Sequence, residues 1–316
     1  MSFSTISIVL LTSLVNFKMA YAKTCDKILQ PQDYLVCSGS DITYYGSDFQ
    51  GPACAVGNVE VTQFALDSRY SKNCQSWTIG GNYKQGTGSA DGNISVGGNV
   101  NLGSVRVSGE LQYGGNLSLA VSNVLGGLKP VNKEIPKGAA ANAWKFFEDQ
   151  SKTMADKKAT SKPQTFNKIL TLSNQGINQV FEIKAKDLQS TKVIKIDGTC
   201  ATPLIINIIG ESAIISETDI QISKSLESCM GNIFFNFPHA KSIVIKKSGA
   251  GKIGIPGTIL APQANLDFSD DLVTGGVFAR NITGSGQVNY SKPAWPADQS
   301  SPIQSTSYES SKGIAK

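Results

Sequence analysis

The sequence predicts an all-β fold wound as a β-solenoid (β-helix) with one amphipathic α-helix packed along its side. Three observations carry this. The triplet Gly-Gly-Asn occurs at 80–82, 97–99 and 114–116, in two 17-residue steps. Short alternating runs surround the triplets. Finally, the composition is turn-rich, with 31 Gly in 316 residues and 17% charged residues against a usual share of about 25%. A fixed repeat of corner residues between runs of two to four alternating residues is what a stacked coil requires, because each inward side chain stacks on the equivalent one in the next coil. The corners are expected to need residues that tolerate positive φ. A β-sandwich also alternates strands and turns, but it gives no reason for one corner triplet to recur at a fixed interval.

In chain order, residues 1–22 read as a secretory signal. An apolar run from Ile6 to Phe17 precedes Ala20-Tyr21-Ala22, the small residues of a cleavage site, which would leave Lys23 as the new N-terminus. The run is interrupted at Lys18, short of the roughly 20 apolar residues of a membrane span. No later stretch is apolar enough to span a bilayer, so no membrane span is expected in the mature chain.

Six cysteines follow the signal: Cys25, Cys37, Cys54, Cys74, Cys200 and Cys229. An even count in a secreted chain favours disulfides. Four of them cluster near the N-terminus as a stapled region, and Cys200 with Cys229 is the natural remaining pair. A nucleophilic Cys would need His239, the single His, as its base. Three sequons, at Asn93, Asn116 and Asn281, are N-glycosylation candidates.

The repeat region includes ISV (94–96), VNL (100–102), VRV (105–107), ELQ (110–112) and LSL (117–119), with an imperfect earlier copy in VGNVEV (56–61). The texture changes at about 137–158. There Ala140, Trp144, Phe147, Ser151 and Met154 recur at three- and four-residue intervals, with Pro136 before and Pro163 after. This is one amphipathic helix, inserted between two strand blocks that continue as a single solenoid. Its aromatic stripe reads as a packing face. The later strands are VFEIKA (180–185), KVIKID (192–197), LIINII (204–209), IQIS (220–223), NIFFNF (232–237), SIVIKK (242–247), GTILA (257–261) and GGVFAR (275–280). LIINII and NIFFNF are apolar on both faces, so one face should meet the interior and the other the helix. The solenoid domain is expected over 23–290, with 291–316 a Ser/Pro-rich polar tail that carries no recognisable anchor.

The segments SDFQGPACAVGNVEV (47–61), NFPHA (236–240), GTILAPQANLDF (257–268) and GGVFARNITGSGQVNY (275–290), with the Gly-Gly-Asn repeats and the Ala-rich helix in order, resemble the choice-of-anchor A family of secreted and surface-displayed proteins. The resemblance spans about 35 to 290. It implies a right-handed β-solenoid with a helix along one side, an adhesin or surface-coat role, and no catalytic motif. The family's C-terminal anchor has no counterpart here, and the cysteines are an addition to its pattern.

The chemistry expected of individual residues is modest. Asp267, Asp270 and Asp271, with Arg280 one coil later, are the candidate carboxylate cluster of a polysaccharide-cleaving β-helix, and they read as a solvated turn. Gly249-Ala250-Gly251 and Gly284-Ser285-Gly286 lack the strand-to-helix context of a phosphate loop and read as corners. One His and no CxxC pair leave no ordinary metal site, and no cofactor is expected. Of the 29 basic residues only three are Arg (Arg69, Arg106 and Arg280), which argues against nucleic-acid readout. Lys241, Lys246, Lys247 and Lys252 form a candidate patch for acidic glycans, alongside the plainer reading of a solvated surface. Ice binding would want hydroxyls in register, whereas Thr is scattered. The function expected is a secreted, non-catalytic, cell-surface or wall-associated adhesin-type module that binds an extracellular polysaccharide or surface glycan. The alternative is a structural component of an extracellular coat, such as a spore or cell wall, assembled by disulfides and self-association.

Overall fold

The computed structural model describes residues 29–66, 75–173, 176, 179–246 and 254–296. The expected signal, Cys25, Cys74, Lys247, Lys252, Gly249-Ala250-Gly251 and the tail from 297 lie outside the described residues. Strands pair almost wholly in parallel, in one 24-stranded sheet and one 4-stranded sheet. They stack as coils with three faces.

The first face runs through Gln179–Lys184, Leu204–Ile209, Ile233–Asn236, the first parts of Thr258–Ser269 and Val277–Gly284, then Val36–Ser38, Ala53–Ala55, Gln75–Ile79, Asn93–Val96, Leu111–Tyr113 and Leu128–Pro130. The second face runs through Ser212–Ser216, Ser242–Lys246, the second parts of Thr258–Ser269 and Val277–Gly284, then Ile42–Tyr45, Val59–Thr62, and the first parts of Tyr83–Ala90 and Val100–Val107, ending at Leu117–Leu119. The third face includes Ile169–Ser173, Val193–Asp197 and Asp219–Ile222, then, across a break in pairing, Gly254–Pro256, Leu272–Thr274, Gln287–Asn289, Asp48–Phe49, Phe64–Leu66 and finally Asn123–Val124.

The ladders are continuous where the chain is not. Val277–Gly284 pairs on one side with Thr258–Ser269 and on the other with Val36–Ser38 and Ile42–Tyr45. The first described strand therefore lies in the middle of the stack, and the chain winds outward from it to Leu128–Pro130. It returns along the first face as α1 (Glu134–Ala155) and winds back from the far end to meet its own first coil. The two strand blocks form one continuous stack, and the helix that lies between them in sequence runs along its side. At about 1.5 Å per residue it runs roughly 33 Å beside them, close to seven coil spacings.

Alternation with a period of two explains the interior. Ile42 and Tyr44 point inward while Thr43 and Tyr45 point out, and Val59 and Val61 repeat the pattern one coil on. Tyr44, Phe49 and Phe64 meet edge to face, with centroids of neighbouring rings 4.8 Å apart.

The central strands of the first face are apolar on both sides because α1 covers them. Ala140, Trp144, Phe147, Ser151 and Met154 are all buried, against the outward Cys37, Cys54, Val180, Ile205, Phe234, Leu260 and Phe278. The helix begins three residues before the expected 137 and ends at Ala155. Pro136 falls in its first turn, where N–H groups have no helical partner to lose. Asn207 and Asn236 bring polarity into this interface and satisfy it there. Asn207 donates to the Met154 carbonyl at 2.9 Å, and Asn236 donates to the Ser151 carbonyl at 3.0 Å and to Asn207 Oδ1 at 2.8 Å. Packing continues past the expected boundary at 290. Trp295 lies 5.2 Å from both Phe234 and Phe278, centroid to centroid, and Ala294 N–H donates to Asn232 Oδ1.

The corner between the first and second faces corrects one expectation. None of the glycines at 80, 81, 97, 98, 114 and 115 has positive φ. They are needed for close approach instead. A Cβ on Gly97 would sit 2.5 Å from the Gly80 carbonyl oxygen, and one on Gly114 would sit 2.4 Å from that of Gly97. Positive φ falls between the second and third faces, at Gly46, Gln63, Gly88, Glu217, Asp270 and Gly284, between the third and first, at Gly92, Gly127 and Gly275, and at the first-to-second corner at Gly210 among the described residues.

Gly97→Ala should destabilise the fold by about 3 kcal/mol, because rigid backbone must move. Gly138→Ala, in α1 with nothing within 4 Å of the new Cβ, should stabilise it by about 0.5–1 kcal/mol. Chemical denaturation of both variants checks the contrast.

Burial pushes the Tyr34 hydroxyl up to about 12, opposed by its 2.8 Å hydrogen bond to Thr78 Oγ1, and burial raises Tyr44 and Tyr83 as well. Unfolded tyrosines ionise near pH 10, so above that pH the unfolded chain releases protons that the folded chain keeps. Stability should fall progressively from about pH 10 to 12, measured as melting temperature against pH with tyrosinate absorbance as the second readout.

Candidate functional site

The second face is the long sheet that α1 leaves uncovered. Its outward side chains form rows because parallel strands in register place equivalent residues about 4.8 Å apart. The central row runs Ile214, Val244, Asp267, Thr283, Thr43, Glu60, Lys84, Asn101 and Ser118. From Asp267 onward every member is exposed and polar or charged. Lys84 and Glu60 pair at 2.6 Å with more than half of each side chain exposed, so the pair contributes little stability.

Along the edge of this face, at the Gly-Gly-Asn corner, runs a ladder of side-chain oxygens. Asn281 donates to Asn265 Oδ1 at 2.7 Å, Asp41 N–H to Asn281 Oδ1 at 3.2 Å, and Asn58 N–H to Asp41 Oδ1 at 2.6 Å. Asn82, Asn99 and Asn116 then each donate their N–H to the preceding Asn Oδ1, at 2.9, 2.8 and 2.8 Å. The ladder crosses the junction between the last coil and the first. The triplets reveal three of its rungs. Asn265, Asn281 and Asp41 have no such signature, because no Gly-Gly pair precedes them and the Asp41–Asn281 contact joins residues 240 positions apart.

The sequons separate in this frame. Asn281 is committed through both ends of its amide, and Asn93 Oδ1 accepts the Glu110 N–H at 2.8 Å. Asn116 is exposed at the last rung.

Lys241 lies at the same corner, where its ammonium group donates to Gln263. Lys246 is exposed at the end of the Ser242–Lys246 strand, beside Ser216 and Ser269. The candidate acidic-glycan patch thus reaches the second face through these two residues.

The carboxylate cluster does not assemble as one group. Asp267 is exposed on the second face and accepts from Ser269 Oγ at 2.9 Å. Asp270 turns the corner at φ 56° and accepts from Ser285 Oγ at 3.1 Å. Asp271 is buried, and its Oδ1 accepts the Leu272 N–H. The solvated turn expected of all three therefore holds for Asp270 but not for Asp271. Arg280 is exposed. Gly284-Ser285-Gly286 is a coil corner, with Ser285 and Gly286 N–H both donating to the Phe268 carbonyl. Among the described residues no group of three His, Cys, Asp or Glu could hold a metal ion.

Cys37 is bonded to Cys54, its in-register partner one coil on beneath α1, and Cys200 to Cys229. These thiols are not available as nucleophiles, and His239 is exposed. The third face carries a shallow apolar groove of about 520 Å³ at its break, lined by Ile220, Ile222, Met230, Ile255 and Pro256.

A family model whose description reads "Putative Ice-binding-like adhesive domain" matches residues 30–290. No curated protein matches the chain. Among solved structures, that of an ice binding protein from an Antarctic bacterium of the Flavobacteriaceae is similar at 10% identity and a TM-score of 0.33, covering 82% of each chain.

Asn82→Ala would remove the acceptor of the Asn99 N–H and should cost about 1 kcal/mol. Asn116→Ala, at the end of the ladder, should stay within about 0.5 kcal/mol of the parent. Denaturant titration of the two variants would show whether the ladder stabilises the stack.

Proposed function

The chain belongs to the ice-binding-like adhesive domain family, whose model spans residues 30–290, and on that premise we propose that it is a secreted, non-catalytic adhesin-type module that binds an extracellular polysaccharide along its second face. One observation carries the reading: the uncovered face presents amide, hydroxyl and charged groups in register from coil to coil. A repeating row of donors and acceptors suits a repeating polymer of hydroxyls, with many weak contacts adding along its length. Lys241 and Lys246 on the same face favour an acidic polymer, with binding that weakens as salt screens it.

The same row argues against an ice-ordering surface. Only Thr283 and Thr43 are adjacent hydroxyls, and Asp267, Glu60 and Lys84 flank them with charge. Secretion, removal of residues 1–22, the finer kinship with choice-of-anchor A proteins and a right-handed coil belong to this reading. The coil hand follows the strong preference of parallel crossovers.

The test is a pull-down of the purified protein on insoluble wall polysaccharides across a salt series. Saturable binding is expected, weakening from about 0.05 to 0.5 M salt. Lys241→Glu with Lys246→Glu, or Thr43→Glu with Asn101→Glu, should lower affinity at least about tenfold without changing the melting temperature. Absence of binding together with reductant-sensitive assembly would replace this reading with a coat protein. Thermal hysteresis in the same samples would replace it with ice binding.

A further inference from the structure

We infer that the outer end of the coil stack, at residues 116–135, is an interface between two copies of this chain meeting end to end across a two-fold axis. The two ends of the stack are built differently. At the far end each face is closed by the chain itself. Gln164–Phe166 lies antiparallel on Ile169–Ser173, the 160–161 backbone bonds to the Val180 carbonyl, and α2 (Ala185–Ser190) packs on Ser212–Ser216, with Gly210 in close contact with Ala185.

Among the described residues the outer end has no such closure. Leu117–Leu119, Asn123–Val124 and Leu128–Pro130 are each paired on one side only among the described residues. Val121, Leu125, Leu128 and Ile135 stand 80%, 55%, 46% and 63% exposed there, a concentration of large apolar side chains not repeated elsewhere among the described residues. Leu117–Leu119 and Asn123–Val124 carry no Asp, Glu, Lys, Arg or Pro, the groups that ordinarily blunt a free strand edge, whereas the third edge strand has Lys129 and Pro130.

These features select a second copy. The edges at Leu117–Leu119 and Asn123–Val124 carry no charge and meet their own images without like-charge repulsion. The closed far end blocks head-to-tail stacking, so the pairing stops at two. A coil of 17 residues at about 3.3 Å each has a perimeter of roughly 56 Å, so two ends with their side chains bury on the order of 1,000 Å², near the lower bound of specific interfaces. The inference does not rest on polysaccharide binding, which uses the side of the stack.

Sedimentation velocity of the full chain, produced in a host without N-glycosylation so that Asn116 is bare, tests it. A reversible monomer–dimer equilibrium is expected up to about 100 µM, with no larger species. Val121→Glu with Leu125→Glu, both exposed and so compatible with folding, should raise the dissociation constant at least about 50-fold at unchanged melting temperature. Phe166→Glu, at the closed end, should leave it unchanged. A wild-type monomer at that concentration, a dimer that survives the double substitution, sensitivity to Phe166→Glu, or open-ended growth would each overturn the inference.

Discussion

The register between the last long strand and the first coil is the contact on which the rest of the structure depends. Val277, Phe278 and Ala279 pair with Val36, Cys37 and Ser38, and Ser38 Oγ donates to the Arg280 carbonyl across 242 residues of sequence. Closing so long a loop costs entropy that grows only slowly with its length, but it must be met before the reward of continuous stacking arrives. The ladder of Asn265, Asn281, Asp41 and Asn58 bridges the same junction from the side. Without this contact the molecule would be two short stacks with three raw ends and one closed end. With it, there is one stack with one closed end and one open end.

That arrangement explains why α1 is long and why one face is so apolar. The chain must travel from the outer end of the stack to the opposite end, and a helix of 22 residues is a stiff way to cross most of that distance. Having crossed, it needs a bed. Ile205, Phe234, Leu260 and Phe278 supply it from successive coils, and Phe147 stacks on Phe278 with centroids 4.0 Å apart. The face that binds the return helix is thereby lost to any ligand. The second face, relieved of packing duty, is free to carry side chains chosen for other reasons.

Much of this was legible in the sequence, and what was not has a physical cause. Local periodicity showed the coil repeat, the strands and the buried stripe of α1, since these depend on neighbours within a few residues. LIINII and NIFFNF each carry Asn in an apolar run, a visible sign of the polar pair Asn207 and Asn236, yet only the structure shows the Met154 and Ser151 carbonyls that accept from them. The junction was not legible, because nothing local in VFA (277–279) and VCS (36–38) marks them as partners. The role of the paired glycines was misjudged for a related reason. Positive φ is a property of one residue, whereas the crowding of Gly97 on the Gly80 carbonyl belongs to the stack. For the candidate site, the triplets exposed the edge of the second face, but the row from Asp267 to Ser118 exists only once the register is known.

The regularity of the repeat bears on where the stack is vulnerable. In a solenoid each coil is stabilised by its two neighbours, so stability is close to a sum of nearest-neighbour terms and is lowest where a neighbour is missing. The far end has its substitutes in Gln164–Phe166 and α2. The outer end depends on one side only, and it is there that the corner triplet repeats most faithfully, at Asn82, Asn99 and Asn116. Faithful repetition favours register, since glycine and asparagine corners allow each coil one close-packed position on the last. It does nothing to cover Val121 and Leu125. A lone coil end that is well registered but uncovered retains apolar surface that only a further surface can remove from water, and the local order of residues 116–130 therefore couples directly to whatever occupies that end.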